Sequence, residues 1–164
     1  MRVKNLFFLA PLIFCPLAQS DNFQFSVTDD DFSNSSKLLL SIDSQSKKAR
    51  LLLHCVVGED IQIQFHSDAR VMFPDRADSN NARMYLNVIH KFNRAEQAIT
   101  SEWIMSFMKY YDAWYLGDQS EFIEAAKASE VLALKLLKNN DTFRFNLEKA
   151  KSPIEQLRSS CVLS

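Results

Sequence analysis

The sequence predicts one α+β domain: a mostly antiparallel β-sheet of about seven to nine strands, two helices near the C-terminus and one disulfide. Three observations predict it. Apolar and polar residues alternate at a period of two through most of the chain after residue 22. That period gives way to a helical one over two stretches of the last third. Two cysteines, Cys55 and Cys161, remain in a chain that begins like an exported one.

The chain has 164 residues, and hydrophobic cores divide only beyond ~250 residues, so one core is expected. A hydrophobic share of 47% supplies the apolar surface for it. Nineteen basic against twenty acidic residues leave a net charge of -1, which gives no long-range field to draw a polyanion. Nucleic acid is not an expected partner.

Residues 1–20 read as a secretory signal peptide. Arg2 and Lys4 precede an apolar run over 6–17, and Ala18 and Ser20 put small residues where signal peptidase prefers them. The run is shorter than the ~20 apolar residues of a membrane span, and Pro11 and Pro16 interrupt it. Cleavage after Ser20 is expected to leave a single exported domain over 21–164. Cys15 leaves with the leader, and Cys55 and Cys161 are then expected to pair in a compartment that permits disulfides.

Along the mature chain, Phe23 and Phe25 alternate with polar neighbours, and Leu38, Leu40 and Ile42 repeat the pattern. A denser apolar run over 50–57 and the alternating Ile61, Ile63 and Phe65 form a hairpin, with Gly58-Glu59 between them because glycine tolerates a positive φ. Residues 71–73 suggest a short strand or edge, and 74–81 a loop. Met84, Leu86, Val88 and His90 share one strand face; further strands are expected over 98–105 and 110–116. Asp118 and Glu121 then open a helix over 119–129. A hairpin follows around Asn139-Asn140-Asp141, and Phe143, Phe145 and Leu147 alternate in its return strand. Ser152 as N-cap, Pro153 at the first helical position and Glu155 predict a closing helix whose Ile154, Leu157 and Cys161 share a face.

No nucleophile elbow, phosphate-cradling glycine loop or His-Glu-x-x-His pair occurs, so neither a catalytic residue nor a cofactor is assigned. His54, His66 and His90 fall on separate strands, which gives no metal site, and the run Asp29, Asp30, Asp31 lacks the spacing and glycine of a calcium loop. The window holding Trp103, Tyr110, Tyr111, Trp114 and Tyr115 is the candidate partner-binding set, although on a strand one of each adjacent pair must face the core. Glu121, Glu124 and Lys127 read as solvated helix charges.

Several features in order resemble one family. They are the early strand with its acidic pair at 25–30, Leu51-Leu52-Leu53-His54-Cys55, the strand leading to Trp103-x-x-Ser106, and the helix, hairpin and cysteine-ended helix over 122–161. Together they resemble the TagO (VasI) family of type VI secretion-associated proteins of the bacterial envelope. His54 stands where that family often has arginine, and Phe23 or Phe25 where it has tryptophan. The resemblance implies a non-enzymatic periplasmic accessory that binds an envelope or secretion-apparatus protein, or cell-wall material. The alternative is an immunity protein that blocks a toxic effector, because an inhibitor needs only a complementary surface. An envelope hydrolase using dispersed carboxylates and histidines is the third reading.

Overall fold

The computed structural model describes residues 22–30, 35–67, 74–78, 83–106 and 109–163, with backbone alone at Asp30, Arg76, Asp78, Ser106, Lys109, Tyr110 and Tyr111. The expected leader, Asp31 and the strand expected over 71–73 lie outside the described residues. The elements run β1 (Phe23–Asp30), β2 (Ser35–Asp43), β3 (Ala49–Val56), β4 (Gln62–Ser67), β5 (Arg76–Asp78), β6 (Arg83–Phe92), β7 (Ile99–Ser106), β8 (Lys109–Tyr115), α1 (Gln119–Ala128), β9 (Val131–Leu136), β10 (Thr142–Asn146) and α2 (Lys151–Ser160). A short 3-10 turn, Glu148–Ala150, leads into α2.

The strands form one antiparallel sheet in the order β1-β2-β3-β4-β8-β7-β6-β9-β10, which bears out the predicted fold class. The short β5 shares an edge of β6 with β9, pairing at residues 83–85 where β9 pairs at 88–92. The sheet curls until its ends meet. Ser44 bridges Phe145, Gln45 N donates to Arg144 O at 2.8 Å, and Asn22 Nδ2 donates to Asn146 O at 3.3 Å. Across the interior, Phe65 on β4 touches Phe143 and Phe145 on β10, with ring centroids 5.2 and 6.4 Å apart.

The period of two decides which side chains fill that interior. Leu38, Leu40 and Ile42, Leu51 and Leu53, Ile63 and Phe65, and Met84, Leu86 and Val88 are each at most 4% exposed. Gly58 takes φ 83° in the β3–β4 turn, as expected of it, and Asn140 takes φ 60° in the β9–β10 turn. Chain crossing explains the helices. The connection from β8 to β9 must pass β7 and β6, and α1 makes that crossing, burying Phe122, Ile123 and Ala126, with Phe122 against His90 and Phe92 of β6 and Tyr115 of β8. Asp118 caps it by accepting from Glu121 N at 2.8 Å.

The helix α2 buries Ile154 and Leu157 and packs on α1, β2 and β3. Cys55 and Cys161 form a disulfide across 106 residues, with Cα atoms 6.2 Å apart. The tail beyond it is zipped into the β3–β4 turn: Gly58 N donates to Ser160 O, Ile61 N to Val162 O and Val162 N to Glu59 O, at 2.8 to 3.0 Å.

Two local expectations are corrected. The loop over 74–81 contains β5, because Arg76–Asp78 meet the edge of β6 that β9 leaves open. Ser152 is not an N-cap: the 3-10 turn feeds directly into α2, Ala150 is already in the helical region, and no side chain caps the start. Ser152 and Pro153 therefore lie within the helix.

Candidate functional site

The aromatic window divides between the two faces of the sheet. Trp103 is fully buried and Tyr115 lies against it inside, with centroids 5.3 Å apart. Tyr115 also contacts His90 and Phe122, at 5.8 and 5.1 Å, and Phe122 in turn contacts His90 and Phe92. The Trp103 indole donates to Ser101 Oγ at 2.9 Å, and that oxygen also lies 3.0 Å from His90 Nδ1. Burial pushes the His90 pKa down, so the imidazole is held neutral. Burial, with Glu121 and then Asp118 nearby, pushes the Tyr115 phenol up. Trp103 is thus a core residue, and the expectation that it meets a partner is corrected, because its strand position points it inward; Tyr115, on the same face, is partly buried against that core beside Phe122 of α1. The side chains of Tyr110 and Tyr111 lie outside the described set.

Trp114 faces the other way and is half-buried. Registers across the sheet set it in a row, opposite Gln64 on β4 and Ile104 on β7. The row continues through Leu52 on β3 and Tyr85 on β6, all partly exposed on the outer surface. A second row lies beside it: Asp43, Arg50, His66 and Asp112 stand opposite one another on β2, β3, β4 and β8. Arg50 Nε donates to Asp43 Oδ1 at 2.8 Å. His66 Nδ1 lies 2.7 Å from Asp112 Oδ1, whose carboxylate is nearly buried.

The His66–Asp112 pair fixes the orientation of one imidazole at the margin of the apolar row. It resembles two members of a nucleophilic triad, but the adjacent Ser67 points to the opposite face of β4, where it donates to Lys48 O at 3.4 Å. Among the described residues no three His, Cys, Asp or Glu side chains are grouped to hold a metal. His54, also outward, has its pKa lowered by burial and by the Lys37 ammonium. Chemically, the outer surface offers an aromatic and aliphatic band with a polar, ion-paired margin.

The helix charges do more than expected of a solvated face. Arg158 grips Glu155 with two hydrogen bonds of 2.7 and 3.0 Å and reaches Glu124 on α1 at 3.2 Å, while Lys127 of α1 lies 2.5 Å from Glu155. Those partners tie α1 to α2 and hold the Glu155 carboxyl down at about 2.

Comparison with family models, with curated proteins and with solved structures finds no match. Of the residues singled out in the sequence, the structure joins Cys55 to Cys161 and leaves Trp114 as the window's outward member with a described side chain. It adds Leu52, Ile104, Tyr85, His66 and Asp112, which sequence spacing did not single out as a surface.

Proposed function

We propose that the protein is an exported, non-enzymatic binding protein of the bacterial envelope that engages a protein partner through the outer surface of β3, β4, β8, β7 and β6. The observation that carries this reading is the row Leu52, Gln64, Trp114, Ile104 and Tyr85, apolar at its centre and bordered by Asp43, Arg50, His66 and Asp112. A partly exposed tryptophan between Ile104 and Gln64, with a polar margin beside it, is the usual composition of an interface centre. The Cys55–Cys161 bond suits an oxidising compartment. Assignment to type VI secretion rests on the sequence resemblance, which supplies the partner class: an envelope component of that machine.

Capture from periplasmic extract tests the reading. The natural chain should retain a secretion component that Trp114→Ala loses while keeping its fold, and deletion of the gene should impair secretion. Retention of a toxic effector, with sensitivity to sibling cells on deletion, transfers the same surface to an immunity role. Equal capture by the natural chain and Trp114→Ala would remove the surface from consideration.

A further inference from the structure

The two terminal strands of the sheet end differently. The strand β10 is covered where it meets Ser44, Gln45 and Asn22. The strand β1 pairs with β2 on one side and with no described residue on the other. Its hydrogen-bond phase follows from Asp43 N donating to Asn22 O: the even residues 22 to 30 bond β2, so the N–H and C=O groups of Phe23, Phe25, Val27 and Asp29 point to the open edge. None of these backbone groups has a partner among the described residues. The edge has no lysine, proline or bulge, and its charges, Asp29 and Asp30, sit only at its end, so residues 23–28 carry none of the devices that keep strands from pairing with one another.

We infer that β1 pairs antiparallel with β1 of a second copy about a two-fold axis through Ser26, joining two sheets into one. Three features favour a second copy over an unrelated strand. In this register Phe25 stands opposite Val27 of the other copy, so each Val27, 51% exposed on the inward side, gains an aromatic cover. Ser26 meets Ser26 and Gln24 meets Thr28, which keeps polar side chains together on the outer side. The strand's charges, Asp29 and Asp30, both sit at one end, so antiparallel pairing sends the two acidic pairs to opposite ends of the joint, against Phe23 and Asn22. Parallel pairing would bring aspartate against aspartate. The inference does not depend on the binding surface proposed above, which lies on other strands.

Sedimentation of the purified chain, with its N-terminus defined by intact mass, tests this together with two sets of variants. The natural chain should sediment as a dimer at micromolar concentration. Val27→Pro removes an edge N–H that β2 does not use and should give a monomer with an unchanged far-ultraviolet spectrum; Val27→Thr should remain dimeric. In the folded protein Ser26→Cys should cross-link across the axis under mild oxidation, whereas Thr28→Cys, facing Gln24 of the other copy, should not. Should Val27→Pro fail to fold, the cysteine pair decides alone. A monomeric natural chain at ~100 μM, some hundredfold above the micromolar range of ordinary specific pairing, overturns the inference. So does a dimer that cross-links equally through residues 26 and 28.

Discussion

Neighbouring residues of β8 meet opposite fates. Ala113 is buried in the interior and Tyr115, partly buried, packs against it beside α1, whereas Asp112 and Trp114 turn outward to His66, Gln64 and Ile104. The contrast teaches that aromatic density in a sequence marks a place, and strand phase then assigns each ring to the interior or to the outer surface. The two tryptophans are the sharpest case: Trp103 has no exposed surface and its indole nitrogen is satisfied by Ser101, while Trp114 keeps part of its ring in solvent.

The largest expected effect breaks the interior side of the contrast at its covalent tie. Cys55 lies on the inner face of β3, and its bond to Cys161 closes a loop of more than a hundred residues. Replacing both cysteines by alanine should lower unfolding free energy by ~5 kcal/mol in the chain-entropy account, a large part of a typical domain's stability. Urea unfolding of the oxidised and double-alanine chains measures it. A loss below ~1 kcal/mol would mean that the tail's backbone bonds to the β3–β4 turn hold α2 without the disulfide.

Next, Trp103→Ala should cost ~3 to 5 kcal/mol through the cavity it leaves against Tyr115 and Ser101, and Trp114→Ala about 1 kcal/mol. The same pair of variants should separate in the opposite sense for partner capture, with Trp114→Ala losing it at near-native stability. Comparable destabilisation by both would place Trp114 in a core of its own.

His90 provides a third test, since histidines also sit on both sides. Its pKa is lowered by burial, so the folded state favours the neutral ring. The sign follows: the unfolded chain binds this proton first, so stability is complete above the ordinary value of ~6.5 and falls as pH drops below it toward the depressed folded value. His90→Gln should flatten the slope of unfolding free energy between pH 7 and 5, where one proton contributes at most ~1.4 kcal/mol per pH unit. His54→Gln, at a more exposed site, should change that slope less. An unaltered slope in His90→Gln would mean that the interior ring is not the group that titrates.

Much of the fold was legible because it is written locally. Alternation named the inward faces of β2, β4 and β6, Gly58 named a turn, and Asp118 named the start of α1. The candidate surface was not, because it depends on strand neighbours distant in sequence. Nothing local states that β4 lies beside β8, yet that pairing is what brings His66 to Asp112 and Gln64 to Trp114. The start of α2 was misread for a related reason: Ser152, Pro153 and Glu155 match a cap pattern, but the preceding 3-10 turn already holds the chain helical, and Glu155 is taken by Arg158 and Lys127.

That displaced glutamate gives the smallest expected effect and the outer limit of the comparison. Its carboxyl is held at about 2 by hydrogen bonds from Arg158 and then Lys127, yet all three side chains are well exposed and water screens them. A depressed carboxyl contributes stability above its unfolded value and loses it as pH falls, here between roughly 4.5 and 2. Glu155→Gln should therefore leave thermal stability at neutral pH nearly unchanged, and any difference from the natural chain should shrink as pH drops through that window or as salt rises. Loss of α1–α2 packing in Glu155→Gln, seen as faster amide exchange across both helices, would show that surface charges fix the position of the helices. The interior account assigns that task to Phe122, Ile154 and Leu157 and predicts exchange that stays slow.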